Sequence, residues 1–269
     1  MTATIISPDT IEAEPARRTA QPIPATRLVK VELRKMFNTR SGFWMLISIG
    51  ALSPISAGSL LVLGLNSDVT YQNFVRASGF PMSVILPIIA ILAITGEWSQ
   101  RTGLTTFTLV PQRHRVILAK VVASVSVGIA SMLFALVIGV VGNLVGTAIA
   151  GTAVVWDVSF MHSVYIVLGS LLCLLTGTML GILFRSSPVA LVAYFVYSLL
   201  LPTVFAVLES TQHWFRDVRP WVDLNLAEST LFEGTISGEQ WAHLVVTTLV
   251  WLVLPATLGL LDLRHSEVR

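Results

Sequence analysis

The side chains of this sequence that could carry chemistry are few, and they match no common catalytic motif. A phosphate loop requires a glycine before its lysine, yet none of Lys30, Lys35 and Lys120 follows one. The five histidines are scattered, and no Gly-x-Ser-x-Gly or His-Glu-x-x-His pattern occurs. The single Cys173 excludes an internal disulfide. We predict that the chain is not an enzyme and holds no catalytic, metal or cofactor site.

The most distinctive polar stretch runs from Gly96 to Lys120 and reads GEWSQRTGLTTFTLVPQRHRVILAK. An acid precedes a short uncharged segment, Pro111 ends that segment, and a basic cluster follows. This arrangement is typical of a helix that lies across the inner surface of a membrane. The alternative is a loop whose basic residues only set the topology of the chain.

Long uncharged runs dominate the rest of the sequence. Apolar residues make up 54% and charged residues 12% of the chain, where about 25% charged is usual. Six runs free of Asp, Glu, Lys and Arg reach the roughly 20 residues that a membrane-spanning helix needs. We predict an all-α integral membrane protein whose transmembrane domain covers 41–265. Its six helices are expected at about 43–65, 80–96, 116–150, 161–184, 187–208 and 240–262.

The basic residues are distributed unevenly between the two sides of these predicted spans. Of the 17 Lys and Arg residues, only Arg76, Arg216 and Arg219 fall on the side opposite to the termini. The positive-inside rule therefore predicts a multi-pass protein of the cell (inner) membrane with both termini in the cytoplasm. Every charge is expected outside the spans, with His162 and His243 near helix ends. The spans therefore offer almost no ionisable side chains for a proton relay.

The region before the first span divides into two parts. Residues 1–25 contain four prolines and no apolar core, which predicts a disordered cytoplasmic tail. Residues 26–40 separate basic from apolar residues at helical spacing, which predicts an amphipathic helix in the membrane interface. The alternative is a cluster that only fixes topology. The two faces comprise Arg27, Lys30 and Arg34 on one side and Val29, Leu33, Met36 and Phe37 on the other.

Small residues recur four positions apart in the fourth predicted span, at Gly169, Cys173, Gly177 and Gly181. Such a stripe lets another helix approach closely, which is how helices associate in lipid. We therefore interpret Cys173 as a packing residue rather than a redox group.

Several local signals concern bends and connections. The third run is 36 residues, about 54 Å as a helix, so it projects past the membrane or ends in a loop around 151–156. Pro54, Pro87, Pro202 and Pro255 predict kinks. We expect the 209–240 segment to form a partly structured outer cap that ends in a capping box at 237–240.

Three stretches of the chain resemble bacterial permease subunits of the ABC type-2 exporter family. They are RLVKVELRKMF at 27–37, the GE…RTG…TFTLVPQRHRVILAK connection, and WAHLVVTTLVWLVLPATLGLLDLRHSEVR at 241–269. Together with the six-helix plan, the resemblance covers nearly everything after residue 25.

The resemblance implies the ABC type-2 exporter fold and a permease that exports a hydrophobic or amphipathic compound such as a drug, lipid-like molecule or peptide. It implies a separate ABC ATPase that binds ATP and Mg²⁺, a second permease that is identical or similar, contact with membrane lipids and no nucleic acid. The connection would be a cytoplasmic coupling helix docked on that ATPase. By position, the contact would involve Glu97, Arg101, Gly103, Thr106, Pro111, Arg113 and Arg115.

A different class of function remains open on the same scaffold. A membrane sensor, or an immunity or resistance protein without its own transport, would have the same spans. An ABC ATPase encoded next to this chain would favour the permease, whereas a kinase or no partner would favour the alternative.

Overall fold

The computed structural model describes residues 23–63, 69–99 and 113–265, and these residues form helices without any strand. Six of the helices are long and apolar enough to cross a membrane, which confirms the predicted all-α multi-pass membrane protein. Most of the predicted tail, and the connection at 100–112, lie outside the described residues.

The first half of the chain forms long antiparallel helices. A short helix precedes the first span, and Thr39 in extended conformation separates the two. The helices are α1 (Ala25–Asn38), α2 (Arg40–Leu63), α3 (Tyr71–Ser99), α4 (Arg113–Ala150) and α5 (Phe160–Phe184).

The second half contains two further long helices and a helical insertion between them. The helix α6 covers Ser187–Thr211, and α9 begins at Gly238 and ends at His265. Between them lie α7 (His213–Val222), α8 (Leu224–Ser229) and a 3₁₀ turn at Thr230–Phe232. We call His213–Phe232 the inserted segment.

The spans are α2, α3, α4, α5, α6 and α9, and their alternating direction defines two ends of the bundle. We call the end that carries α1 and the start of α4 the basic end, and the end that carries the inserted segment the acidic end. The second span begins at Tyr71 rather than at 80, so that Arg76 lies within α3.

The helix α4 shows which part of the third uncharged run is helical and which part forms a loop. Its 38 residues extend for about 57 Å at 1.5 Å per residue, well beyond the hydrocarbon thickness. The helix ends at Ala150, and the next residue, Gly151, has a positive φ of 65°, which suits a residue without a Cβ. Both predicted solutions therefore apply: the helix projects, and 152–159 forms a non-helical connection.

The core lies around α3, which packs against α2, α4 and α5. Fully buried α3 side chains include Phe74, Met82 and Leu86. Phe74 fits against glycines of α4: a Cβ at Gly142 would lie 2.5 Å from its ring. Close helix approach over small residues therefore holds the centre of the bundle.

The helices α6 and α9 each contain one π turn, at Val196–Leu200 and Leu249–Val253. Pro202 and Pro255 follow these turns, so proline removes a helical hydrogen bond just after each widening. At these two prolines, where kinks are predicted, the structure has π turns.

Candidate functional site

A buried ion-pair network joins α1 to α4 at the basic end. The Nζ of Lys120 in α4 lies 2.6 Å from Oε2 of Glu32, and Nζ of Lys35 lies 2.7 Å from Oε1. Glu32 is 7% exposed and Lys120 is buried as well. Both carboxylate oxygens are thus engaged by ammonium groups, as a buried charge requires.

A cavity of about 320 Å³ opens beside this network, between α1, α2, α3 and α4. Its polar wall includes Glu32, Lys35 and Lys120, and its apolar wall includes Met45 and Ile89. Gly96 also lines the cavity, and it lies in the last turn of α3, which ends at Ser99 before the connection to α4. The network therefore lies where the predicted coupling connection leaves the bundle.

The predicted coupling residues are only partly described. Arg115 lies in α4, and its guanidinium donates a hydrogen bond of 2.7 Å to the carbonyl of Ile23, two residues before α1 begins. The backbones of Glu97 and Arg113 belong to α3 and α4. The remaining four lie outside the described residues: Arg101, Gly103, Thr106 and Pro111.

The predicted faces of the N-terminal helix are seen with one change. Glu32 and Met36, four residues apart, share the buried face of α1, whereas Phe37 is 54% exposed. The buried face of α1 is therefore shifted by about one residue from the predicted apolar face: it includes Glu32 and excludes Phe37. The other predicted residues are placed as follows: Leu33 is half-buried, and Arg27, Lys30 and Arg34 are exposed.

The small-residue stripe of α5 faces two different neighbours. A Cβ at Gly177 would lie 2.6 Å from the carbonyl oxygen of Pro87, and one at Gly181 would lie 3.1 Å from Cβ of Ile94, both in α3. Nearer the acidic end, the same stripe meets the inserted segment. There, a Cβ at Gly169 would lie 2.9 Å from the ring of Phe232.

The inserted segment reaches far into the bundle. Cys173 lies about 20 Å along α5 from its start, and its thiol donates to Oε2 of Glu228 in α8 at 3.2 Å. Trp251 lies a similar distance along α9, about 20 Å, and its Nε1 donates to the carbonyl of Val222 at 2.7 Å. The prediction that this segment forms a cap outside the spans is therefore wrong. The segment re-enters the bundle and packs between α5, α6 and α9.

The π turn of α6 explains one of these contacts. Leu201 donates its N–H to Val196, and Pro202 has no N–H, so the carbonyl of Tyr197 lacks its usual helical donor. Nδ2 of Asn225 in α8 donates to that carbonyl at 3.4 Å. The irregular turn thus provides a hydrogen-bond acceptor for the inserted segment.

Two buried acids of the inserted segment have different surroundings. Asp223 accepts the N–H of Leu226 and pairs with Arg219, which also pairs with Glu209. Glu228 is 3% exposed, and among the described residues its Oε1 has no hydrogen-bond partner. Asp223 is a compensated charge, whereas Glu228 is not.

The expectation that every charge lies outside the spans is wrong. Arg76 lies within α3 and donates to the carbonyl of Phe232, and Lys120 lies within α4. Glu228 of α8 contacts Cys173, which lies far from either end of α5. Counting uncharged runs locates the spans but misses a connection that folds back between them.

Sequence reasoning also missed Glu32 and Glu228, because neither position carries a motif.

A scan against protein-family models and a search of curated proteins both find no match to this chain.

Proposed function

We propose that the chain is the permease subunit of an ATP-driven ABC transporter, with its ATPase on a separate chain. The sequence has no phosphate loop, and three of its stretches resemble permeases of the ABC type-2 exporter family. The excess of Lys and Arg at the basic end supports a cytoplasmic location for that end and both termini in the cell (inner) membrane.

The observation that carries the proposal is the ion-pair network around Glu32. It fastens α1 to α4 beside Gly96, in the last turn of α3 before the connection. Energetic coupling needs a continuous chain of packed elements between two sites. A displacement of a docked connection would pass directly into α3 and α4, the helices at the centre of the core.

The exposed surface of α6 supports a second permease as partner. This span is almost uncovered by the rest of the chain, and α2 is also largely exposed. In the proposed transporter, two permeases lie side by side and an exported hydrophobic or amphipathic compound passes between them. Lipid covers the remaining apolar surface.

The first experiment identifies the partner. The tagged chain is purified from its native host in mild detergent, and copurifying proteins are identified by mass spectrometry. We expect an ABC ATPase, with ATP hydrolysis by the complex and none by the chain alone. A copurifying sensor kinase, or no partner together with resistance in intact cells, would instead support the sensor or immunity protein.

The second experiment tests the connection. Glu97→Ala removes a charge, and Thr106→Trp adds bulk to the proposed docking surface without altering the basic residues that set topology. Both variants are expected at normal membrane levels, with weaker ATPase binding or lost stimulation of hydrolysis by substrate. The matched control is Thr152→Trp, at an exposed position of the connection at the other end. If all three variants behave like the parent, the connection is not the docking surface.

A further inference from the structure

We propose that Glu228 is a proton-binding site within the membrane part of this protein. Its carboxyl group carries a proton while the inserted segment is packed against α5, and it releases that proton to water when the segment moves away. The proposal concerns the packing of α8 on α5 and does not depend on ATP-driven transport.

The position of Glu228 supplies the first argument. Its side chain lies between α8 and α5 at the level of Cys173, about 20 Å from the start of α5. The inserted segment contacts α5, α6 and α9, and Glu228 is 3% exposed, so bulk water does not solvate the carboxyl group. An ionisable residue at such depth is costly unless it is paired or neutral, and it marks a functional site.

The absence of a compensating charge supplies the second argument. Among the described residues, Glu228 forms no ion pair, and its one hydrogen bond comes from the thiol of Cys173. A thiol is a weak donor and does not offset a full negative charge. An unpaired hydroxyl is costly to bury, but an uncompensated carboxylate costs far more. The packed arrangement therefore requires the neutral acid.

The surrounding titratable groups favour the same state. From α6, Tyr194 and Tyr197 lie within electrostatic reach of Glu228, and neither carries a positive charge that would compensate a carboxylate. Asp223 also acts on Glu228, and its negative charge disfavours a second one nearby. Arg219, a cation of the same inserted segment, is engaged by Glu209 and Asp223.

A proton fits the site better than a larger ligand does. The carboxyl oxygen Oε1 is enclosed, and the cavity beside α8 is lined by residues such as Leu226, Thr230 and His243 and not by Glu228. No group of three His, Cys, Asp or Glu residues able to hold a metal ion occurs in the part of the chain that the structure describes. The site thus offers one acid, one weak donor and no room.

Linkage fixes the direction of the pH dependence. The packed state binds one more proton than the state in which Glu228 is hydrated, so packing is favoured at low pH. It weakens as pH rises and Glu228 ionises. The proton then passes from the carboxyl group to water that enters between α8 and α5.

Infrared spectroscopy of the full-length protein tests the charge state directly. At neutral pH, the parent is expected to show the carbonyl stretch of a protonated carboxyl group that Glu228→Gln lacks, and this band should disappear as pH is raised. The control Glu239→Gln removes an exposed acid and should instead lose a carboxylate band. Loss of a carboxylate band in Glu228→Gln at neutral pH would overturn the proposal.

A second variant covers failure of Glu228→Gln to fold. Cys173→Ala removes the thiol that donates to Glu228, so the frequency of the protonated carboxyl band should shift while other bands stay unchanged. A spectrum without such a shift would show that the band does not belong to Glu228 and would refute the site.

The only cysteine of the chain reports on the release step. Cys173 is labelled with N-ethylmaleimide across a pH series in the parent and in Glu228→Gln, which corrects for the intrinsic thiolate reactivity. The ratio of the parent rate to the variant rate should rise with pH, by up to about tenfold per pH unit, the slope for release of one proton. A ratio that is independent of pH would refute the movement of the inserted segment.

Discussion

Glu32 at the basic end and Glu228 in the inserted segment are buried to nearly the same extent, yet their surroundings differ in charge. Glu32 accepts from two lysines of α1 and α4, and Glu228 accepts only from the thiol of Cys173. Burial alone therefore does not tell whether an acid is charged. The partners supplied by neighbouring helices decide it.

The two ends also differ in how their helices meet. At the basic end, Gly177 of α5 faces the backbone of α3 at Pro87. At the acidic end, Gly169 faces the ring of Phe232 in the inserted segment. A backbone cannot move aside, whereas a ring at the end of a side chain can. The contact of α5 with α3 at the basic end is therefore rigid, whereas its contact with the inserted segment at the acidic end can open.

The largest expected effect comes from breaking the joint at the basic end. Glu32→Gln removes the buried carboxylate charge that pairs with Lys120 and Lys35, so the free energy of unfolding should fall by about 3 kcal/mol. Adding Lys120→Met should recover part of that loss, because the second charge is also removed. Unfolding in mixed detergent micelles measures both variants. Equal stability of parent and Glu32→Gln would contradict the contrast between the two acids.

The α5 stripe should respond unequally along its length. Gly177→Ala is expected to cost about 2 kcal/mol, because its Cβ would meet the backbone of α3. Gly169→Ala should cost less, since the ring of Phe232 can shift. The same unfolding assay applies, with Gly50→Ala as control because its Cβ would meet nothing within 4 Å. Equal losses of unfolding free energy in Gly177→Ala and Gly169→Ala would show that the two contacts of α5 are equally rigid.

A helix cap tests whether the acidic end is loose throughout. The hydroxyl of Ser237 accepts the N–H of Gln240, and the Gln240 side chain accepts the N–H of Ser237, so the predicted capping box is confirmed. Ser237→Ala should therefore reduce stability by about 1 kcal/mol. Ser126→Ala, at an exposed position inside α4, should cause no loss. A stable Ser237→Ala variant would mean that α9 begins without help from its cap.

The smallest effect is expected at Glu228, although this acid is even less exposed than Glu32. Because Gln resembles a neutral carboxyl group and keeps an acceptor for the thiol of Cys173, Glu228→Gln should change stability at neutral pH by about 1 kcal/mol or less. Stability of the parent should fall with rising pH more than that of the variant. A loss as large as that of Glu32→Gln would place a charge at Glu228 and remove the distinction between the two ends.

The sequence alone determined the spans, because a helix across lipid needs an uncharged run of fixed length whatever its neighbours are. The capping box at Ser237 and the termination of α4 near Gly151 were equally readable, since both depend on residues adjacent in the chain. The tertiary structure decided which side chains meet across helices. It brought Lys120 to Glu32 and folded the inserted segment back so that Glu228 reaches Cys173. Those pairs are separated by long stretches of sequence, and their energies depend on burial and partners that no local pattern encodes.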